Sequence, residues 1–539
     1  MRDRDSPKVP LAALLLFAVL GSTLVFSTAP VFASIGCGSV ITTNTTLSAD
    51  IGPCLGNGLV IGAGHIVLSC AGHTISGSGT NVGINLTGIT GVTVKNCNVT
   101  GFEYGFYIYS SSGNKLTGNT ANSNSFIGFF LYGSSNSNTL SKNTANKNSW
   151  GFGLYTNCNS NKLTGNTANS NYGDGFDVYG SSNSNTLSKN TANNNNYMGF
   201  YLYNSSSNTV SKNTANFDGW GFVLDTTSNS NRLSGNTAGK STQDGFELYE
   251  SSSNTLNGNT ANFNANYGFW LSGSSTNTLS RNKADGNGGG NNFAGFYLTS
   301  SSNSNTLSKN TANGNYVGFD IYSSNSNKLT KNTANGNDYG LRLTSSSSNT
   351  LSGNTANVNY YGISIGSSSN SNTLSKNTAN YNDVGFILSS SSSNTLSGNK
   401  ASYNRQGFSV DHFSTNTLTG NTANGNKDYG FYLYLSSGNT FSKNTANSNY
   451  RGFILTNSSS NTLSGNKANY NVQNGFSLNT FSNSNTLTKN SANKNGFYGY
   501  RDDSTGSGTL GTANSYSSDT CSGNGFGGSS PSGLGSPQP

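Results

Sequence analysis

Only 20 of the 539 residues are Asp or Glu, so the places where they gather carry information. Asp174, Asp177, Asp218, Asp225, Asp244, Glu247 and Glu250 fall within one stretch. Two carboxylates on one face are what glycosidic chemistry needs: one protonates the leaving oxygen, while the other activates water or attacks the sugar. Asp177, Asp225 and Glu247 are the catalytic candidates on that ground. Before, between and after them stand Tyr107, Tyr109, Tyr132, Tyr155, Tyr179, Tyr201, Tyr203, Tyr249 and Trp270. Sugar rings stack their C–H faces on aromatic rings, and carboxylates accept from sugar hydroxyls, so these nine are candidate substrate-binding residues. A structural reading has at least equal weight. Tyrosines repeated along a sheet stabilise it through cross-strand contacts, and scattered carboxylates are ordinarily solvated charges. A lyase would need a basic residue beside a carboxylate cluster. Asp320 and Arg342 share a column one repeat apart, which reads as an ion pair of small energetic value.

The donor set argues against a copper site. Copper favours His, Met and Cys, and the chain holds three His (His65, His73, His412) and two Met (Met1, Met198). No metal ligands and no cofactor are assigned, with Ca²⁺ left open for a lyase. Net charge is +8 from 28 basic residues, but they are spread thinly and form no patch of the kind nucleic acid requires.

The residues that would position such a site belong to a unit repeated every ~22–24 residues from about Gly83 to Tyr500, the mark of a stacked-repeat architecture. One copy reads NTLSKNTANKNSWGFGLY, from Asn138 to Tyr155. Charged residues are 9%, far below the usual ~25%, but aromatics reach 11%, which excludes a disordered polar tract. Each unit reads as three short strands and three turns. T-L-S and G-F-x-L-x alternate with period two, and N-x-x-G supplies a turn. Such a unit buries its apolar residues only by stacking on copies of itself. The inward columns are then Leu116, Leu140, Leu163 and onward; Phe106, Phe129, Phe152 and onward; an Ala column from Ala121 to Ala492; and an Asn ladder through Asn119, Asn143 and Asn166. Stacked Asn side chains bond to one another along such a ladder. Two residues after most members of the Leu column stands Gly or Lys (Gly118, Lys142, Gly165, Lys189, Lys212, Gly235), a partial alternation that spaces like charges. The outward columns are the second and fourth residues after the Gly of G-F-x-L-x. The expected fold is all-β, a single-stranded right-handed parallel β-helix of about 18–19 coils.

Residues 1–33 read as a signal peptide, with basic residues, an apolar run and small residues before a cut after Ala33. Residues 34–75 read as an N-terminal cap and first coil, 76–500 as the repeat domain, and 501–539 as a cap remnant with a Gly/Ser/Pro-rich tail. No second apolar span follows, so the mature chain is expected to lack a transmembrane segment and to be secreted, periplasmic or on the cell surface. Export makes disulfides available. Cys37, Cys54, Cys70 and Cys97 cluster near the new N-terminus. Cys37–Cys54 is the leading pair, Cys70 and Cys97 lie one coil apart, and Cys158 and Cys521 are expected to be free.

The runs Ile66–Ile75 and Gly91–Cys97, with the G-F-x-L-x and NTLSxNTAN units after them, resemble the right-handed parallel β-helix superfamily. More narrowly they resemble the NosD-like and carbohydrate-binding, sugar-hydrolase repeats. The resemblance covers roughly residues 60–500 and implies the fold, not an activity, since such proteins include lyases, hydrolases, epimerases and adhesins. The expectation is a secreted or surface rod that binds polysaccharide or cell-envelope glycan, leaning non-enzymatic. The alternatives are a polysaccharide hydrolase, lyase or epimerase, and a purely structural adhesion rod.

Overall fold

The computed structural model describes residues 35–290 and 292–536. The signal-peptide expectation for 1–33 lies outside the described residues. The protein is a β-solenoid built from three parallel sheets that run its length. In the first sheet, six-residue strands such as Tyr104–Tyr109, Ile127–Tyr132 and Trp150–Tyr155 stack in register. Phe106 pairs with Phe129, and Phe129 with Phe152. This sheet has 22 strands, so coils exist beyond the 18–19 counted from the repeat. The second sheet is made of three-residue strands around the Leu column, Leu116 on Leu140 on Leu163. The third is the shortest wall. It holds strands such as Thr167–Asn169 in some coils and narrows to a single bridged residue in others, as along Thr311, Thr333 and Thr355. One 3-10 turn, Thr509–Gly511, is the sole helical element among the described residues.

The inward columns are closed to solvent. The Leu, Phe and Ala columns are fully buried, and the Phe rings stack face to face, as in Phe176–Phe200 at 4.8 Å and Phe200–Phe222 at 4.7 Å. That spacing is the parallel-strand spacing itself, so the coil rise sets the ring separation.

The Asn ladder is one of three. Each marks a corner, the two others running through Asn114, Asn138 and Asn161 and through Asn124, Asn148 and Asn171. In the ladder expected from sequence, Asn143 Oδ1 accepts from both the backbone N–H (3.0 Å) and the side-chain amide (3.1 Å) of Asn119. Asn143 Nδ2 donates to Leu116 O (3.0 Å) and to the next rung at Asn166 (3.1 Å). A buried corner must satisfy backbone groups that no sheet can reach. The Asn amide does this with a donor and an acceptor of its own.

The Gly/Lys column has a conformational cause that charge spacing does not supply. Gly118, Lys142, Gly165 and Lys189 all adopt φ between 56° and 65°. This corner needs left-handed backbone, which Gly adopts without cost and other residues reluctantly.

Stacking starts before Gly83 and runs past Tyr500. Ser39–Ile41 pairs with Leu59–Ile61, which pairs onward to Ile84. At the other end Gly527–Ser530 pairs with Tyr498–Asp502. Coils thus extend into residues 34–75, read as cap and first coil, and into 501–539, read as cap remnant and tail. Cys37–Cys54 and Cys70–Cys97 are disulfides, with Cα–Cα distances of 5.5 and 4.7 Å. Cys158 and Cys521 are free and buried. Burial pushes the Cys158 thiol up to about 12, which makes it a poor nucleophile.

Candidate functional site

The site candidates lie on the outer surface of the first sheet, and the glycine of G-F-x-L-x shapes that surface. A Cβ on Gly128 would meet Ala145 Cβ and Gly151 O, each at 2.8 Å. The corner closes tightly on the Ala column, and only glycine fits. The chain turns as it passes this point, which breaks the alternation. As a result the residue before the glycine and the second residue after it both face outward. Tyr104 and Tyr107 stand side by side, ring centroids 5.4 Å apart. Two outward columns were legible in the sequence; this third one, through Tyr104, Ile127, Trp150, Met198 and Trp220, was not. Asp174 and Asp244 hold the matching place before their glycines. The Gly at a fixed offset was the signal that could have revealed it.

With three columns populated by large side chains, the outer face packs into a second apolar layer. Tyr104, Ile127, Phe130 and Tyr155 form one buried cluster, with Tyr107, Tyr132, Trp150 and Tyr179 against it. Met198, Tyr201 and Val223 form another, edged by Tyr203 and Trp220. Phe130 is 0% exposed although it points away from the coil interior. Burial raises the Tyr107 phenol to about 12 and that of Tyr155 well above its ordinary value, the Asp177 carboxylate adding to the second shift.

The sequence candidates separate by exposure. Tyr109 and Tyr249 are exposed, at 37% and 38%. Tyr107, Tyr132, Tyr179, Tyr203 and Trp270 are half-buried, and Tyr155 and Tyr201 are buried. In the fourth-after-glycine column several tyrosines meet their neighbours in the next coil. Tyr109 and Tyr132 stack at 5.7 Å, Tyr155 and Tyr179 meet at 5.4 Å, and Tyr179 and Tyr203 stack at 4.6 Å. Asp225 then interrupts the column between Tyr203 and Tyr249.

Asp177 and Glu247 are buried. They occupy one column three coils apart, with Tyr201 and Val223 between them, about 14 Å at ~4.8 Å per coil. Asp177 accepts from the Tyr155 hydroxyl. Asp225 lies in the neighbouring column, one coil before Glu247. It accepts from Tyr201 Oη at 3.0 Å and from Thr226 Oγ1 at 2.9 Å. Asp174 and Asp244 serve the turn, accepting from the backbone N–H groups of Met198 (2.7 Å) and Tyr267 (2.9 Å). Most of these carboxylates thus accept hydrogen bonds from within the layer. Asp320 and Arg342 form a two-pronged pair at 3.0 and 2.6 Å.

His73 Nδ1 lies 3.2 Å from Asp50. Met198 is buried, Cys158 and Cys521 are buried thiols, and the other four described cysteines are in disulfides. No group of three or more His, Cys, Asp or Glu converges among the described residues in a way that would hold a metal ion. No helix among the described residues is long and apolar enough to cross a membrane.

A family model described as periplasmic copper-binding protein (NosD) matches residues 57–238, 182–294, 282–396 and 367–528. No curated protein matches the chain. Solved structures similar to it include the periplasmic alginate epimerase AlgG, at 16% identity over 58% of this chain and 76% of that one, TM-score 0.32. Pectate lyase Pel9A is similar at 15% identity over 50% and 68%, TM-score 0.31. PfbA, a surface adhesin of Streptococcus pneumoniae, is similar at 12% identity over 58% and 84%, TM-score 0.35.

Proposed function

We infer, for a chain that belongs to the NosD family, that it is a rod working outside the cytoplasm and holding polysaccharide along the outer face of its first sheet. The observation that carries this is the column Tyr109, Tyr132, Tyr179, Tyr203 and Tyr249. Tyr132, Tyr179 and Tyr203 pack against the buried layer, Tyr109 stacks on Tyr132, and Tyr109 and Tyr249 are exposed. Packing beneath holds Tyr132, Tyr179 and Tyr203 before any ligand arrives, so little side-chain entropy is lost at those rings on binding. Aromatic rings supply large contact area with a polar tip, which suits a sugar chain lying along the rod.

The burial of Asp177 and Glu247, and the hydrogen bonds that Asp177 and Asp225 accept within the layer, support a scaffold role over acid/base chemistry. The family description names copper. The donors present do not fit it, since His65, His73 and His412 do not converge and the thiols are buried or bonded.

The test is retention on a panel of immobilised polysaccharides. Replacing Tyr109, Tyr132 and Tyr249 together by Ala should weaken retention at least ~tenfold while leaving the fold intact, as expected when central aromatic anchors are truncated. Unchanged retention rejects this face. Polysaccharide turnover that disappears in Asp225→Ala/Glu247→Ala would replace the binding reading with an enzymatic one.

A further inference from the structure

Eight coils beyond Trp270 the same outer face changes character. Arg451, Asn474, Ser477, Asn479, Arg501 and Asp503 line a shallow depression of about 140 Å³. It exists because one coil carries small polar residues where its neighbours carry long ones. Ser477 pairs with Ile454 on one side and Arg501 on the other, and Asn474 holds the outward place before its glycine that Arg451 holds one coil earlier.

Both guanidinium groups are held at Nε. Arg451 Nε donates to Gln473 Oε1, and the group lies over the Tyr450 ring at 5.8 Å. Arg501 Nε donates to Asp503 Oδ1 at 3.0 Å. Among the described residues, the terminal nitrogens of neither Arg451 nor Arg501 are tied to a carboxylate. This contrasts with Arg342, clamped by Asp320, and with Arg405, held by Asp383 at 2.7 Å and Asp428 at 3.0 Å. Asn474 Nδ2 donates to Ser477 Oγ at 3.1 Å, which turns the Ser hydroxyl hydrogen toward other acceptors. Two anchored guanidinium forks and a hydroxyl, against one carboxylate, leave a positive site that is rich in donors.

The geometry points to an oxyanion subsite in which Arg451 and Arg501 hold the carboxylate or sulfate groups of an acidic polysaccharide. The planar fork of Arg matches a two-oxygen anion with two parallel hydrogen bonds. The coils of Arg451 and Arg501 are two steps apart, about 10 Å at ~4.8 Å per coil, so each can engage a different acidic unit of one chain. The inference rests on the glycan reading only in placing the anion on a polysaccharide; the tyrosine column is not part of the site.

Affinity electrophoresis of the full chain in gels containing polygalacturonate, dextran sulfate or dextran tests it. The expected result is retardation by at least one acidic polymer, falling at least ~tenfold in Arg451→Gln/Arg501→Gln, as for loss of paired charge-assisted bonds. Lys142→Gln/Lys189→Gln removes the same charge from a corner on another wall and should cost less than ~twofold if attraction by net charge is minor. Should the Gln pair fold poorly, Arg451→Lys/Arg501→Lys keeps the charge, loses the fork, and should still weaken retention ~threefold or more. No retardation by either acidic polymer, equal retardation by dextran, or a Gln pair no weaker than the lysine control overturns the inference. Polygalacturonate against dextran sulfate separates carboxylate from sulfate. The tyrosine triple variant, run alongside, separates the two proposals: its failure to matter while the arginine pair matters would sink the aromatic column and leave the oxyanion site standing.

Discussion

The two ends of one outer face differ in what they do with their side chains. From Tyr104 to Trp220, rings on adjacent coils reach one another and bury themselves. From Arg451 to Asp503, short polar residues between two arginines leave a depression open. The columns and the coil rise are the same at both ends. An outward position is therefore not by itself a solvent position: a face crowded with large side chains becomes a second core, and ligand access survives where side chains are short or where a ring's edge overhangs the layer.

The largest effect expected from this contrast is on stability. Phe130→Ala should cost about 3–5 kcal/mol, as for a core aromatic, whereas Ser364→Ala, in the same column of a later coil, should stay within ~0.5 kcal/mol. Denaturant unfolding of both variants measures this, and equal small costs would show that the N-terminal layer is not a core.

The next effect concerns pH. Each region has an Asp where the corner ladders otherwise carry Asn. Asp218 Oδ1 accepts from the Asn195 amide groups at 2.7 and 2.9 Å, and Asp519 Oδ1 accepts from those of Asn490 at 2.7 and 2.8 Å. Burial pushes Asp218 up to about 8 and Asp519 up to about 6. A carboxyl that holds its proton in the fold but releases it when unfolded loses stability as pH rises between its ordinary value and its raised one. Asp218→Asn should therefore flatten the fall in stability from about pH 4 to about pH 8, and Asp519→Asn should do so over a narrower window ending near pH 6. Melting temperature against pH reads both, and an unchanged profile in Asp218→Asn would refute the assignment.

A smaller effect is expected inside the layer. Tyr155→Phe removes the hydroxyl that Asp177 accepts from and should cost about 1–3 kcal/mol, the range for a hydrogen bond to a buried charged or polar group. A neutral result would mean that packing alone holds the layer. The smallest change belongs to Tyr249→Ala, which should leave unfolding nearly unaltered because the ring is among the exposed ones; any loss should appear in glycan retention.

Much of the inner wall was legible. Leu116, Phe106, Ala121 and Asn119 recur because each contacts its own copy in the next coil, so one structural requirement is written many times. The outer face was legible less far. Asp177 and Glu247 could be placed in an outward column, but their burial depends on Tyr155, Tyr201 and neighbours one coil away. The column through Tyr104 and Trp150 was hidden because the glycine corner breaks the two-residue alternation. The left-handed corner at Lys142 and Lys189 was hidden because lysine gives no conformational signal where glycine would.

The sequence alone determined the coil, its inward columns and its stacking, because a repeat that must bury its apolar residues against itself has few other solutions. The tertiary structure decided which outward side chains meet solvent, because that depends on whether side chains from several successive coils are long enough to cover one another. It also decided which arginines keep their forks unclamped, because that depends on which side chains face them across one coil rise.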